Sequence, residues 1–145
     1  MTDKTLALSL RHPWPFAILE CGKDIENRIW PTRVRGRVYI HASNWWNEKI
    51  VREDLEDLLD IAQYDPETIN QKIALLLPIM KMQCGHLVGS VEITGCWTGS
   101  DSPWFDGPFG FSLANPVPLV SAIRCRGALY FFDVPADVLA QSTTR

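Results

Sequence analysis

The sequence of 145 residues lacks the short motifs by which many enzymes bind nucleotides or activate a nucleophile. It contains no G-x-x-x-x-G-K-[ST] loop for a nucleoside triphosphate and no G-x-G-x-x-G turn for a dinucleotide. It also contains no G-x-S-x-G serine elbow and no H-E-x-x-H zinc-binding helix. These absences argue against a nucleotide hydrolase, a dinucleotide-dependent oxidoreductase and a zinc hydrolase.

Cysteine and histidine are too scattered along the chain for a metal site. The four cysteines form no C-x-x-C pair, and the three histidines have no helical spacing that would bring two of them together. Cys84 and His86 are close neighbours, but a structural zinc site needs a second close pair, which the sequence lacks. We therefore expect buried, reduced thiols, no metal and no cofactor.

Long apolar runs are also missing. No run approaches the length that spans a membrane, and residues 1–4 do not begin a signal-peptide pattern, so we expect a cytoplasmic protein without a membrane segment. The apolar fraction of 46% and the charged fraction of 21% are ordinary for globular proteins. The length then predicts a single domain over residues 1–145 with its own hydrophobic core.

Positive charge is scarce overall and concentrated at one end. The net charge of −3 argues against a protein that coats nucleic acid indiscriminately, because such proteins carry a broad basic surface. Residues 1–47 hold seven Lys or Arg against four Asp or Glu, whereas residues 48–72 hold three against eight. The sequence thus predicts a small basic patch, separate from an acidic helix that typically keeps an exposed face solvated.

Hydrophobic periodicity predicts strands at both ends of the chain and helices between them. Strands are expected over residues 4–10, 23–30, 35–42, 86–97, 111–113, 118–123 and 127–132. Glycines in the strand 86–97 are placed as in the bulges of a barrel strand. Six or so strands of this spacing, with helices beside them, predict the α+β class and a small β-barrel.

The predicted helices are marked by proline and glycine. A short helix led by Pro13 and Pro15 should end at Gly22, which tolerates a positive φ. A helical insert is expected at about residues 45–80, with one helix over 45–63 capped by Ser43 or Asn44. A second helix is expected over 67–77, where Pro78 should stop it.

The stretch from Gly22 to Trp30 has the pattern of a site. If it continues as a strand, Glu26 and Arg28 share one face and Lys23 lies at its entrance. A lysine, a carboxylate and an arginine this close together suit anion binding or proton transfer. The alternative is an ordinary surface ion pair, worth roughly a few tenths of a kcal/mol and common on edge strands.

A second polar stripe lies on the strand 35–42. Arg37 and His41 occupy the face opposite Val38 and Ile40. A cation and an imidazole on one stripe suit contacts to phosphates and bases. The alternative, which this strand favours when taken by itself, is the solvated face of a half-buried strand.

Tryptophan is abundant, with six in the chain. Most tryptophans pack in a core or at its rim. Trp14, Trp97 and Trp104 flank the elements described above, and position alone makes them the candidates for plates on which a base stacks. Such a contact is worth about 1–3 kcal/mol per base.

Several blocks of the sequence, taken in order, form a recognisable set. The loosest block is the pattern of Gly22, Lys23, Glu26 and Arg28, which has no residue between the glycine and the lysine. The other blocks are Ser9–Trp14, Gly36–Ser43, Gly89–Val91, Phe109–Leu113 and Gly127–Phe131. Together these blocks resemble the ASCH domain family. The similarity covers most of the chain, and the segment 47–83 is its least diagnostic part.

The resemblance implies a PUA-like β-barrel and a cleft that binds RNA or a modified nucleoside. Some bacterial members look like hydrolases that remove the acetyl group from N4-acetylcytidine, and others are associated with ribonuclease activity. In the amidohydrolase type a threonine nucleophile follows the lysine by three residues. Lys23 matches that lysine, but Glu26 stands in the place of the threonine, and a glutamate does not replace a lysine-activated hydroxyl.

Three hypotheses of different classes follow. In the first, the chain binds RNA or another single-stranded nucleic acid, with Lys23, Arg28 and Arg37 on phosphates or base edges and aromatic rings on a base. In the second, it is a metal-independent ribonuclease or nucleoside amidohydrolase, with Lys23 as base and Glu26 or His41 moving a proton. In the third, the acidic helix binds a protein partner.

Overall fold

The computed structural model describes residues 4–142. The expectation that residues 1–4 do not begin a signal-peptide pattern concerns mainly residues outside that range. The strands are β1 Leu6–Leu10, β2 Ile25–Arg28, β3 Gly36–Ala42, β4 His86–Trp97, β5 Phe109–Arg124 and β6 Phe131–Asp133. The helices are α1 Trp14–Glu20, α2 Glu48–Ile61, α3 Pro66–Gln83 and α4 Ala136–Ser142. No helix within residues 4–142 is both long enough and apolar enough to cross a membrane.

All six strands join in one sheet, in the order β2-β5-β4-β3-β1-β6. Neighbouring strands run antiparallel except β1 and β3, which run parallel with Leu8 opposite Ile40. The sheet curls into a half-barrel with helices packed beside it, which confirms the predicted α+β class and the small barrel of about six strands. Strands β2 and β6 are the two edges of the sheet.

The apolar faces of the strands form the main core inside the curled sheet. Leu8, Ile40, Val91, Ile93 and Phe111 are each at most 2% exposed and belong to one cluster. Successive side chains of a strand point to opposite faces of the sheet, so every second residue of these strands faces the core. A second cluster joins α1, α2 and α3, so the helices have a core of their own against the side of the sheet.

Aromatic rings lie where the two edges of the half-barrel approach each other. Trp30, just beyond β2, packs edge-on against Tyr130 and Phe131 at the start of β6, with centroid distances of 4.9 and 5.8 Å. It also contacts Phe111 of β5 at 5.3 Å. Among residues 4–142 no backbone ladder joins β2 to β6. This seam is therefore closed by side chains.

The glycines of β4 lie at register shifts, as the sequence predicts. The ladder between β4 and β5 changes register beside Gly89 and again beside Gly95. A Cβ at Gly89 would lie 2.6 Å from the methyl groups of Leu19 and 2.8 Å from the carbonyl oxygen of Val117. The missing side chain thus lets α1 and β5 approach β4 closely.

Strand β5 is one long strand, whereas the sequence predicts two short ones separated at Asn115-Pro116. Between Ser90 and Glu92 the ladder advances two residues on β4 but three on β5, from Val117 to Ala114. The extra residue of β5 forms a bulge at Asn115, whose φ is +52°, and β4 and β5 pair on both sides of it. The prediction of a break was wrong because a bulge accommodates a proline that has no N–H to donate.

Two helix boundaries also differ from the prediction. Asn47, not Ser43 or Asn44, caps α2, since its Oδ1 accepts a hydrogen bond from the Ile50 N–H at 3.1 Å. Helix α3 continues through Pro78 to Gln83. The proline stop signal is overridden here because the buried side chains on both sides of the proline pack against α2, and tertiary packing outweighs local propensity.

The last predicted strand, 127–132, is also shorter than expected. Residues before Phe131 form a loop, and Tyr130 has a φ of +59°, which extended backbone does not allow. The shortening matters for function because it turns Ala128, Leu129 and Tyr130 into a wall beside β2.

Candidate functional site

The turn after α1 places three charged side chains beside one another. Gly22, with φ of +73°, ends the helix, and the Lys23 N–H donates to the Ala17 carbonyl at 3.0 Å. The chain then enters β2, which pairs with β5 so that Glu26 lies opposite Phe111. Lys23 and Glu26 are only 6% and 7% exposed, so the turn and the start of β2 carry charge into the interior.

Glu26 lies between two cations. Its Oε2 accepts a hydrogen bond from Arg28 Nε at 2.9 Å, and its Oε1 is 3.6 Å from Lys23 Nζ. Lys23 Nζ also donates to the Ile25 carbonyl, and Arg28 Nη2 donates to the Ser9 carbonyl at 3.0 Å. The ion group of Lys23, Glu26 and Arg28 therefore has one positive charge more than it has carboxylates.

Burial changes the protonation of the lysine. Removal from water lowers the pKa of Lys23 below its usual value of 10.5, because the charged form loses its hydration. The neighbouring Glu26 carboxylate opposes that shift without cancelling it. The Lys23 ammonium group therefore releases its proton more readily than that of an exposed lysine.

Two hollows meet at the ion group. The first hollow has a volume of about 670 Å³, and its walls include Arg11, Trp14, Arg28, Trp30, Trp45 and Tyr130. The second hollow has a volume of about 680 Å³, and its walls include Arg11, Trp14, Lys23, Asp57, Trp104 and Phe105. Their common wall consists of Arg11, Trp14, Glu26, Asn27 and Asp106. We call the two hollows together the cleft.

Asn27 fixes the loop that forms the outer wall of the cleft. Its Oδ1 accepts hydrogen bonds from the backbone N–H groups of Asp106 and Gly107 at 2.8 and 3.0 Å. Its Nδ2 donates to the Trp104 carbonyl at 3.0 Å. One side chain thus positions the loop that carries Trp104, a role that the sequence pattern did not reveal.

Cations also lie over rings around the cleft. The Arg11 guanidinium is 4.7 Å from the centroid of Trp45, and Lys23 Nζ is 5.8 Å from that of Trp14. Arg28 is 5.8 Å from the Trp30 ring. Such contacts orient long cationic side chains on rigid plates.

The structure brings together five of the residues proposed from the sequence. Trp14, Lys23, Glu26, Arg28 and Trp104 all line the cleft. Their meeting depends on the return of the chain after β4, since Trp104 is far from β2 in sequence and reaches it only through the loop before β5. The cleft also has an acidic lip, Asp57, on the helix that the sequence analysis treats as a solvated face or as a surface for a protein partner.

Arg37 and Trp97, also proposed from the sequence, lie outside both hollows. Arg37 donates to Ser90 Oγ at 2.9 Å and is 3.3 Å from Glu92 Oε1. Trp97 is 54% exposed, and its Nε1 donates to Ser112 Oγ at 3.0 Å. Both side chains have partners on the outer surface of the sheet, and their part in binding stays a prediction.

His41 is buried rather than solvated. A carbonyl only accepts hydrogen bonds, so the 2.7 Å contact with the Cys125 carbonyl requires a proton on His41 Nε2. Nδ1 then accepts from the Ser9 hydroxyl at 2.9 Å. Burial lowers the pKa of His41, which keeps the ring neutral. These bonds tie β3 to β1 and to the chain after β5.

The residues missed by the sequence analysis come from separate parts of the chain. Arg11 precedes Trp14 in the same short run, and its charge was the available signal. Trp45 and Tyr130 gave none, because only the curl of the sheet brings their segments beside β2. Among residues 4–142 no three His, Cys, Asp or Glu side chains are grouped so that they could hold a metal ion.

Comparison with known proteins supplies a family. A model of the ASCH domain matches residues 8–104, about two thirds of the chain, from β1 to the loop that carries Trp104. ASCH domains are generally thought to bind RNA. A search of curated proteins found no significant match. The matched range includes the whole ion group and most of the cleft, and on this evidence the chain belongs to the ASCH domain family.

Proposed function

We propose that the cleft binds RNA by taking up an unpaired base, or the base of a modified nucleoside. The observation that carries the proposal is the position of the ion group between two hollows lined by tryptophan: Glu26 lies in their common wall, Arg28 in the first hollow and Lys23 in the second. Groups on a strand hold their geometry better than groups on a loop, and Glu26 and Arg28 both lie on β2. Lys23, just before the strand, is held by Glu26 and by the Ile25 carbonyl, so the ion group forms a fixed point for a polar ligand.

The charges of the cleft suit a short contact with a nucleic acid. Arg28 is 21% exposed in its side chain and lines the first hollow, where its guanidinium suits a phosphate or a base edge. Arg11 contributes to both hollows. The net charge of −3 and the acidic α2 argue against a long basic track, so we expect a few nucleotides to be bound.

The rings of the cleft suit a base. Trp14 and Trp104 both line the second hollow, and Trp30 and Tyr130 line the first. Single-stranded RNA is recognised largely by stacking unpaired bases on aromatic side chains, at about 1–3 kcal/mol per base. A hollow of this size, with rings and a carboxylate in its wall, has room for a base and an acceptor for its amino group.

The test is the binding of a dye-labelled, single-stranded RNA of six nucleotides, followed by fluorescence anisotropy. Trp104→Ala should weaken binding by about 5- to 150-fold, the equivalent of one stacking contact. Trp97→Ala removes a tryptophan that lines neither hollow, so weaker binding in this variant and not in Trp104→Ala would place the base outside the cleft. Absence of saturable binding to the wild type at low salt would refute the proposal.

A second candidate function is hydrolysis in the same cleft, and the lowered pKa of Lys23 favours it. A neutral amine accepts a proton from water or from a ribose hydroxyl, and Arg28 could then stabilise the developing negative charge. Glu26 holds both groups in place. Glu26 occupies the position of the threonine nucleophile in the amidohydrolase type, so a ribonuclease fits this chain better than a deacetylase.

Incubation with labelled RNA and, separately, with N4-acetylcytidine distinguishes these reactions. We expect Lys23→Ala to abolish any cleavage that depends on the cleft, while Arg124→Ala, an exposed cation elsewhere, leaves it unchanged. Turnover that survives Lys23→Ala would show that Lys23 and this cleft do not carry the reaction, and binding without turnover in the wild type would leave the binding function alone.

A further inference from the structure

A third hollow adjoins the first on the side away from the second. Its volume is about 370 Å³, and its walls include Ser9, His41, Ser43, Arg126, Gly127 and Leu129. Ser9, Ser43 and Leu129 also line the first hollow, whereas no residue is shared between the second and third hollows. The three hollows therefore follow one another in a row, with the first in the middle.

The charge changes steadily along this row. The second hollow has two cations and three carboxylates in its walls, and the first has two of each. The third has the Arg126 guanidinium, no carboxylate, and the neutral ring of His41. A polyanion is thus repelled from the Asp57 end and attracted to the Arg126 end, while a neutral base is admitted at either.

Arg126 is available to a ligand. Its side chain is exposed, and within residues 4–142 its guanidinium has no hydrogen bond or ion pair, although the Arg126 carbonyl accepts from the Cys125 thiol at 3.5 Å. The backbone beside it is well fixed, since the Cys125 N–H donates to the Gly85 carbonyl at 3.0 Å and the Cys125 carbonyl accepts from His41. Gly127 lies so close to His41 that a Cβ there would be 2.7 Å from Cε1.

We infer that the cleft continues into the third hollow and that its ligand is a single-stranded RNA chain, with a base in the second hollow and a backbone phosphate at Arg126. This inference rests on the proposed function. It specifies the ligand class further, because a free nucleoside fills only one hollow and has no phosphate to place at the positive end. His41 acts as a positioning residue, through the loop that it fixes.

The test compares two exposed arginines, Arg126 and Arg124, which differ in that Arg124 lines none of the hollows. Arg126→Ala should weaken binding of the six-nucleotide RNA by about three- to tenfold and reduce the slope of log affinity against log salt by about 0.7. Arg124→Ala should change neither quantity. The affinity for cytidine should be the same in all three proteins.

Each outcome of the RNA and cytidine binding measurements supports or refutes the extension to the third hollow. If the wild type binds RNA but Arg126→Ala behaves as Arg124→Ala does, the extension to the third hollow is wrong and the proposed function survives. If cytidine binds as tightly as the RNA, the ligand is a nucleoside and the inference is wrong. If the wild type binds neither, both the inference and the proposed function fall. Circular dichroism of both variants checks that they fold.

Discussion

At the scale of single residues, the main feature is a carboxylate that serves two buried cations. Glu26 is 10% exposed in its side chain and is within 3.6 Å of both Lys23 and Arg28. Removing one partner of a buried pair leaves an uncompensated charge, which costs about 3–5 kcal/mol. The two ends of this group are unequal, because Arg28 retains more contact with water than Lys23 does.

This inequality leads to an ordered prediction. Glu26→Gln should lower the free energy of unfolding by about 3 kcal/mol, since two cations lose their counter-charge. Lys23→Met should cost clearly less, because it removes the most desolvated charge and leaves Glu26 paired with Arg28. Urea denaturation near pH 7 measures both values. An equal or greater loss in Lys23→Met would contradict this account of the group.

A second residue, His12, carries a pH effect. It is fully buried, packs edge-on against Trp46 at 6.1 Å, and neither ring nitrogen has a hydrogen-bond partner in the described part of the chain. Burial lowers the pKa of His12 from 6.5 to about 4, because a charged imidazole would lose its hydration. Between about pH 6.5 and pH 4, the ring therefore stays neutral in the folded protein while the same imidazole takes up a proton in the unfolded chain.

The sign of the effect follows from linkage. As the pH falls below 6.5 the unfolded chain binds a proton that the folded chain refuses until about pH 4, so stability falls through this window. At about pH 5 the loss is about 2 kcal/mol relative to pH 7. His12→Phe should reduce the difference in unfolding free energy between those two pH values by that amount. An unchanged difference would show that His12 does not carry it.

At the scale of elements, the cleft depends on how the loop before β5 is held. The three hydrogen bonds from Asn27 join β2 to the backbone of that loop. A buried or half-buried hydrogen bond contributes about 1 kcal/mol, so the loss of all three should free the loop without unfolding the sheet.

Amide hydrogen exchange tests this role. In Asn27→Ala the amides of Asp106 and Gly107 should exchange at least about tenfold faster, because they lose their acceptor. Thr32→Ala is a suitable control, since it removes one side-chain acceptor, for the Val34 N–H, in another loop. Slow exchange at both amides in Asn27→Ala would mean that something else holds the loop.

Local pattern was sufficient for part of the site. Lys23 lies just before a short strand that carries Glu26 and Arg28, all three within six residues of a glycine stop, so spacing alone placed them together. Arg37 was proposed from the polar stripe of its strand and Trp97 from its position alone, but the face that a strand presents to a cleft depends on the curl of the whole sheet. The helix boundary at Pro78 was missed because packing against α2 outweighs the local cost of a proline.

At the scale of the whole molecule, charge limits the length of nucleic acid that can be bound. The row of hollows offers few cations, and Lys23 and Arg28 share the Glu26 carboxylate. The remainder of the chain is acidic on balance, with a net charge of −3. Affinity should therefore come mainly from stacking and only partly from the release of counterions.

The salt dependence of RNA binding measures that balance. With about two phosphate contacts, the slope of log affinity against log salt should be about −1.4 for a single strand, or about a sevenfold loss between about 50 and 200 mM salt. Titrations at four salt concentrations give the slope. A value steeper than about −3 would indicate a broad basic surface that this charge distribution does not contain.

The aromatic seam has a consequence for how the protein responds to its ligand. Trp30 and Tyr130 join the margins of the sheet, and the same two rings form part of the chamber proposed for a nucleotide. A ligand bound between these rings would link β2 to β6 as well as fill the first hollow. Ligand binding should therefore slow the separation of β2 from β6, the two edges of the sheet between which residues 4–142 form no backbone ladder.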